Sequence, residues 1–361
     1  MNDFPAVDPG LSSPALAEPL RAYRASQRRR WCLVALLLAL TLSAMLLDIT
    51  SGPSSLRFMQ ALHGLWQPDS LPPSLHVVLW DLRLPVTLLA VLVGVALAVA
   101  GVEMQTVLGN PLAEPFTLGV SSAAALGASL AIVLNWGIPG LPAAWLVSGN
   151  AFIFALGALA LLQLFARRPG ADAQILVLFG IASGFAAAAL LSLVQFVASE
   201  DALQQLVFWS MGSLARADWL GVGLLALVIA CVLPFSWRAA SAMTALGLGD
   251  ERARSYGIDV AHLRRWALLR ISLLAAVAVA LAGTIGFVGL VGPHVARLLV
   301  GDGHRHLLPA AALVGALLMV LASVVSKSIV PGVLLPVGII TALVGLPVFV
   351  LLVLRRTRGA A

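Results

Sequence analysis

Charged side chains are scarce in this chain of 361 residues, where Asp, Glu, Lys and Arg together supply 11% of the positions. An ordinary globular domain carries about 25% charged residues, whereas 60% of the residues here are hydrophobic and the mean hydropathy is +1.00. This shortage of charge excludes an ordinary soluble domain, and domain counts based on chain length do not apply. The composition predicts a membrane protein.

Lysine and cysteine are also rare, and their scarcity excludes several kinds of site. Lys327 is the only lysine, so the chain has no G-x-x-x-x-G-K-[ST] loop with which to bind ATP. Cys32 and Cys231 lie far apart within apolar runs, which excludes a disulfide framework and a cysteine metal cluster. No helix is rich in Asp or His, as a membrane enzyme would need. We predict a chain that is not an enzyme, binds no metal and holds no cofactor of its own.

Long apolar runs dominate what the sequence does contain. About 20 consecutive apolar residues are enough to cross a bilayer as a helix. Nine windows are about this long: 31–48, 86–107, 115–134, 143–166, 174–198, 217–237, 266–287, 306–327 and 335–354. The shorter apolar run 288–300 adds a tenth. The predicted fold class is an all-α, polytopic membrane protein with about ten transmembrane helices.

The distribution of arginine decides the predicted topology, because cytoplasmic loops collect Lys and Arg near helix ends. Ten spans with both termini in the cytoplasm leave only Arg57, Arg83, Arg216 and Lys327 outside. Nine spans would put the arginines of the two chain ends on opposite sides of the membrane. The same dispersed arginines account for the pI of about 10.5 without a nucleic-acid partner.

One membrane domain with two short tails is the predicted organisation. Residues 1–30 mix Pro, Ala, Ser and charge without helical periodicity, which predicts a disordered cytoplasmic tail. Residues 31–356 form the membrane domain, and 357–361 form a second cytoplasmic tail. The first apolar run is a retained helix, because it follows a 30-residue lead and lacks an A-x-A-like cleavage site. The loop 49–82 is predicted to hold a short interfacial helix.

An internal repeat appears when the chain is shifted by 182 residues. The shift aligns Val95–Gly101 with Val277–Gly283 and Pro111 with Pro293. In the predicted topology the two copies run in opposite directions, which makes an inverted repeat of the kind common in transporters. The motif of the second copy consists of Gly292, Pro293, His294 and Arg297.

A Pro-broken turn, Gly109–Pro115, separates two of the predicted spans. Helix breakers at membrane depth survive only against protein or beside a water-filled path. Asn110, Pro111 and Leu112 are therefore predicted to belong to a permeation route.

Polar residues within the spans are few, and such residues are costly and usually functional. Glu103 and Gln105 lie near the inner end of the second span. Glu103 is either a proton site of an ion-driven carrier or a residue that reaches the interface or caps the helix, and the sequence leaves both open. His294 and Arg297 lie three residues apart on one helical face, a spacing that suits a metal or haem ligand. A hydrogen-bonded structural pair is the favoured interpretation of these two residues.

The one sizeable polar segment on the inner side is Gly247–Asp259. Its acidic residues come first and its arginines later, as the helix dipole prefers, and Gly257 is a candidate C-cap. A second short helix is predicted over Val260–Arg265. The segment is either a solvated loop or, as we favour, a docking surface for a cytoplasmic partner. The glycine-rich run 283–292 lacks the context of a dinucleotide site and is predicted to serve close helix packing.

Six segments, in order along residues 31–356, resemble the permease subunits of ABC importers for iron-siderophores, haem and vitamin B12. They are RLPV (83–86), GVEMQTVLGNPLAEPFTLGVSSAAALGA (101–128), FWSMGSL (208–214), LGLGDERARSYGIDV (246–260), GTIGFVGLVGPHVARLLVGDGHRHLLP (283–309) and LPVGIITALVGLPVFVLLVLRR (335–356). The Asn-Pro-Leu-Ala and Gly-Pro-His stretches are the most specific parts of this resemblance.

The resemblance implies a fold like that of the vitamin B12 importer permease and an assembly in the bacterial inner membrane. The expected partners are a second permease copy, two ATPase subunits that bind ATP and Mg, and a binding protein that delivers cargo from outside. The inner gate is expected at Asn110, Pro111 and Leu112, with Glu103 and Gln105 beside the pathway. The coupling residues expected within 243–265 are Gly247, Gly249, Asp250, Glu251, Arg252, Ala253, Arg254 and Gly257.

Four positions depart from the family pattern: Val86, Ser323, Lys327 and Leu334. The resemblance assigns Arg83 and Lys327 to docking on acidic residues of the binding protein, although Lys lacks the bidentate fork of Arg. An iron(III)-siderophore is the first choice of cargo, with haem or cobalamin as the alternative. An ion-coupled secondary transporter is the less favoured class.

Overall fold

The computed structural model of the chain describes residues 14–52, 58–134, 136, 142–168, 173–330 and 333–358. Within these residues every regular element is helical. The helices are α1 (Pro14–Thr50), α2 (Phe58–Trp66), α3 (Pro73–His76), α4 (Leu84–Val107), α5 (Val120–Leu134), α6 (Ala143–Ala166), α7 (Ala173–Phe196), α8 (Glu200–Ser210), α9 (Trp219–Leu246), α10 (Asp250–Ser255), α11 (Val260–Ala282), α12 (Val288–Val300), α13 (His304–Ser328) and α14 (Val337–Arg358).

The predicted all-α, polytopic fold is confirmed, and a helix occupies each of the ten predicted windows. Among the described residues, seven continuous helical stretches are long and apolar enough to cross a membrane: α1, α3 with α4, α6, α7, α9, α11 and α13. A π-helical segment, Val77–Arg83, makes α3 and α4 continuous. The apolar helices α5 and α12 and the apolar stretch Val337–Leu351 of α14 are shorter. The predicted helix within the loop 49–82 is α2, which precedes α3.

The core is built around α4, which packs against α11, α12 and α13. In its most apolar stretch 72% of the residues are buried, against 22% for α6 and for α7. Gly94 contacts the backbone of Gly315, and Gly101 contacts the backbone of Gly289, so closely that a Cβ at either position would collide. Small residues permit this approach of helices. The predicted packing role of the glycine-rich run is therefore confirmed at Gly289.

The two copies of the repeat run antiparallel, as the predicted inversion requires. Arg264 and Arg270 of α11 contact Val107 and Glu103 of α4, respectively, so the two helices advance in opposite directions. The turn after the first copy is not repeated. Pro293 lies inside α12, whereas Pro111 lies in an irregular turn.

Two predictions about local structure are wrong. Residues 14–30, assigned to a disordered tail, belong to α1, because Ala, Leu and Arg favour helix and Pro is tolerated in a first turn. Residues 1–13 lie outside the described residues. The separate helix over Val260–Arg265 is instead the start of α11, since no helix breaker follows it. Asp259 caps that helix, and the N–H of His262, which donates to Asp259 Oδ1 at 2.9 Å, lowers the pKa of the Asp259 carboxyl.

Candidate functional site: two polar clusters at opposite ends of the bundle

A cavity of about 610 Å³ brings together three of the groups of residues predicted from the sequence. The gate group contributes Gln105 and Pro111, and the second copy of the repeat contributes Arg297. The coupling group contributes Gly247, Gly249 and Asp250. We call this space the inner cavity.

The turn beside the inner cavity is held by its own hydrogen bonds. Asn110 Oδ1 accepts from the N–H of Leu112 at 3.0 Å, and the Asn110 carbonyl accepts from the N–H of Ala113 at 3.1 Å. Pro111 is exposed, while Asn110 and Leu112 are half-buried. Side-chain hydrogen bonding of this kind is why Asn favours turns. The predicted gate residues thus form a compact, partly exposed loop.

Glu103 is buried in an ion pair and does not face the inner cavity. It is 1% exposed, and Arg270 Nε lies 2.9 Å and 3.0 Å from its two carboxylate oxygens. This contact joins α4 to α11. This burial does not match a residue that reaches the interface, whereas the interpretation of Glu103 as a proton site stays a prediction. Glu103 is a partner in a buried ion pair.

Gln105 and Arg297 connect α4 to α12. Arg297 Nη1 donates to Gln105 Oε1, and Gln105 Nε2 donates to the carbonyl of Gly289 at 3.3 Å. Arg297 Nε also lies 3.4 Å from the carboxylate of Asp302. The end of the first copy of the repeat therefore contacts the helix that carries the motif of the second copy. His294 and Gly292, with Pro293, lie within α12.

The predicted coupling segment contains the short helix α10. Gly249, with φ +107°, precedes it, and Gly257, with φ +78°, follows it in the left-handed conformation expected of the predicted C-cap. The N–H of Ile258 donates to the carbonyl of Ala253 at 3.1 Å, which closes the end of the helix. Ala253 is buried, while Glu251, Arg252 and Arg254 are exposed.

Arg264 joins α10 to the core of the bundle. Its Nη2 donates to Asp250 Oδ1 at 2.8 Å, and its Nε donates to the carbonyl of Val107 at 3.1 Å. Val107 is the last residue of α4, two residues before the turn begins. One side chain of α11 therefore contacts both α10, the helix predicted to couple to a partner, and α4, which leads into the predicted gate turn.

His304 is a connecting residue that the sequence analysis missed. It is 3% exposed at the start of α13. Its Nε2 lies 2.9 Å from Thr106 Oγ1 of α4, its Nδ1 lies 3.3 Å from Thr244 Oγ1 of α9, and its backbone N–H donates to Thr244 Oγ1 at 3.0 Å. Three helices thus meet at this imidazole. The sequence signal for it was a histidine within the block 283–309, which carries part of the family resemblance.

A smaller cavity of about 270 Å³, the outer cavity, lies at the other end of the bundle. Its lining includes Arg83 and all four departures from the family pattern, Val86, Ser323, Lys327 and Leu334. These positions lie far apart in the sequence, and the fold brings them to one place.

The predicted docking residues Arg83 and Lys327 are largely buried and bonded within the chain, and their role in docking stays a prediction. Lys327 Nζ lies 2.8 Å from the carboxylate of Asp48, and Arg83 Nη1 donates to the carbonyl of Ile49 at 2.6 Å. Each of the two side chains is only 7% exposed. Asp48, a residue missed by the sequence analysis, also accepts from Thr87 at 2.5 Å.

Similarity to known proteins identifies the class to which this bundle belongs. The FecCD transport family matches residues 36–355, so the chain belongs to that family. It is the permease of an ABC importer of the metal-chelate, haem and vitamin B12 class. Membership implies ATPase and substrate-binding partners and a dimeric permease.

Individual relatives support this assignment along nearly the whole chain. The vitamin B12 import permease BtuC of Salmonella newport is 37% identical over 338 residues, which cover 93% of this chain and 98% of the relative. The hemin transport permease HmuU of Yersinia pestis is 38% identical over 294 residues, covering 81% and 87%. A solved metal-chelate type ABC transporter in an inward-facing conformation gives a TM-score of 0.78 at 31% identity, covering 89% and 98%.

Proposed function

We propose that this permease works as a homodimer that imports an iron(III)-siderophore across the bacterial inner membrane. Two separate ATPase subunits hold ATP and Mg and supply the energy, and an external binding protein delivers the cargo. The permease catalyses no reaction and holds no cofactor. Haem and cobalamin are the alternative cargoes, because relatives named for transport of each are about equally similar.

The observation that carries the proposal is the pair of contacts made by Arg264. A push on α10 reaches Arg264 through Asp250, and Arg264 is hydrogen-bonded to the end of α4 at Val107. Because the gate turn follows directly, movement of α10 displaces Asn110–Leu112. In this mechanism Gly247–Gly257 contacts the ATPase and the turn opens or closes the inner side.

The proposed topology has both termini in the cytoplasm. It is supported by contacts between the start of the apolar part of α1 and the end of the bundle that carries α10. The rings of Trp31 and His306 lie 5.1 Å apart, and His306 is two residues from His304 at the inner cavity. Arginine is concentrated at this end, as expected of the cytoplasmic side.

Uptake into vesicles tests both the class of transport and the cargo. The permease is reconstituted with its ATPase and loaded binding protein, and entry of labelled iron-siderophore, haem or cobalamin is followed with and without ATP. We expect ATP-dependent entry of the siderophore. Entry driven by an ion gradient without the ATPase would overturn the importer mechanism, and entry of haem or cobalamin alone would overturn only the cargo.

A further inference from the structure

A strongly basic cavity of about 530 Å³ lies at the ends of α6 and α11, and it shares Asp250 and Arg264 with the neighbouring inner cavity. Its charged lining residues are Arg167, Arg168, Arg254, Arg264, Arg265 and Asp250. The single carboxylate lies 2.8 Å from one guanidinium and 3.8 Å from another, so it is already engaged. The lining retains an excess of positive charge and is suited to an anion.

The cavity lies at the depth where helices leave the bilayer. Its lining comes from the last residue of α6, the first turn of α7 and the first turns of α11, and each of these helices is long and apolar enough to span a membrane. Any anion bound here is therefore at the level of the lipid head groups.

Exposed apolar residues continue directly from the arginines toward the membrane. On α11, Arg265 is followed one turn later by Leu269, and Trp266 beside it is 52% exposed. Leu164, in the last turn of α6, is 58% exposed, and Arg168 lies two residues beyond the end of that helix. Residues four apart share a helix face, so Arg265 lies at the end of an apolar stripe on α11, and Arg168 lies just past the exposed apolar end of α6.

We propose that this cavity binds the phosphate head group of an anionic phospholipid, with the acyl chains lying along the exposed apolar residues of α6 and α11. Guanidinium groups pair with phosphate through two parallel hydrogen bonds, and basic pockets between membrane helices are suited to anionic head groups. An acidic protein surface would use the same cations but leave the adjoining leucines and Trp266 without a partner. Arg168 and Arg265 line this cavity and not the inner cavity, so a test at these two residues does not depend on the cargo or on the proposed coupling through Arg264.

Native mass spectrometry of the full-length permease in detergent tests this site. Phosphatidylglycerol is the probe, and phosphatidylcholine, glycerol phosphate and inorganic phosphate are the competitors. The test variant is Arg168→Gln with Arg265→Gln. The control variant, Arg238→Gln with Arg305→Gln, removes the same charge from exposed positions outside the cavity lining.

We expect phosphatidylglycerol to bind the test variant roughly thirtyfold more weakly than the wild type, and the control variant to bind it normally. Replacing the same two arginines by lysine should restore part of the affinity, because charge returns without the planar fork. The thermal unfolding temperatures of both variants establish that the chains compared are folded.

Three outcomes would overturn the proposal. The first is equal binding of phosphatidylglycerol by the test and control variants. The second is displacement of the lipid by inorganic phosphate or glycerol phosphate at similar concentration, which would indicate a site for soluble anions. The third is displacement by the ATPase subunit, which would assign the cavity to a protein partner.

Discussion

Each end of the bundle is organised by an aspartate with basic partners, yet the two clusters differ in burial. At the outer end Asp48 is 0% exposed and the side chain of Lys327 is 7% exposed. At the inner end Asp250 is 34% exposed, Arg264 is 19% exposed and Arg254 is 65% exposed. A buried pair cannot separate without leaving an unpaired charge in the protein, whereas exposed pairs exchange with water at little cost. The outer cluster therefore fixes helices, and the inner cluster can rearrange during transport.

The largest expected effect comes from Asp48→Asn, which leaves Lys327 buried without its carboxylate. We expect the free energy of unfolding to fall by about 3–5 kcal/mol, seen as a lower unfolding temperature of the purified permease. Adding Lys327→Met should recover most of the loss, because both charges are then gone. An unchanged unfolding temperature in the Asp48→Asn variant would show that the buried outer pair stabilises the fold no more than the exposed inner pairs do.

Arg264→Gln should impair transport far more than stability. The guanidinium joins α10 to α4, but its ion pair with Asp250 is partly exposed and contributes only about 0–1 kcal/mol to stability. We expect ATP-driven uptake to fall roughly tenfold or more, which corresponds to about 1.4 kcal/mol, while ATP hydrolysis continues. Uptake and hydrolysis are measured in the same vesicles, with Arg238→Gln as the control. Parallel losses of both activities would show that Arg264 does not transmit the movement of α10.

His304→Ala should lower the amount of cargo carried per ATP severalfold, a smaller effect than at Arg264 because the lost hydrogen bonds are neutral and contribute about 1 kcal/mol each. His304→Gln retains an amide that can reach Thr106 and should restore part of the ratio. The ratio of uptake to hydrolysis is the readout, because a purely structural defect would reduce both together. Equal ratios in all three proteins would assign His304 to packing alone.

The smallest effect is expected from Arg254→Gln. Its contact with Asp250 is 3.8 Å long and the side chain is mostly exposed, so the pair contributes about 0–1 kcal/mol. We expect an unchanged unfolding temperature and a decrease in uptake of no more than about twofold. A loss as large as that of Arg264→Gln would mean that the exposed face of α10, and not its attachment to α11, carries the coupling.

Features set by neighbouring residues could be predicted from the sequence, and features set by distant ones could not. The apolar windows gave the spans, and Gly257 marked the end of α10, because length and backbone conformation are local properties. The extent of α1 and α11 was misjudged, since polar but helix-favouring residues continue a helix beyond its apolar part. The predicted windows end where the apolar residues end, whereas the helices end where helix-breaking residues occur.

The buried ion pairs could not be predicted from the sequence. A single charged residue in an apolar run has the same neighbours in sequence whether its side chain reaches the membrane interface or forms an ion pair inside the protein. Lys327 and Asp48 are 279 residues apart, and Arg270 and Glu103 are 167 apart. Arg83 was read as an exposed contact for the same reason. Only the packing of α1, α4 and α13 decides that its partner is the carbonyl of Ile49.

The glycine contacts within the core determine which parts of the subunit can move. Where Gly94 meets Gly315 and Gly101 meets Gly289, main chain rests on main chain, with no side chain between them that could change rotamer. Protein interiors packed at this density do not deform continuously. The helices α4, α12 and α13 therefore form a rigid frame that moves as one piece. In the mechanism proposed above, the pathway opens and closes by rotation of this frame against the second subunit, and only the short inner segments bend.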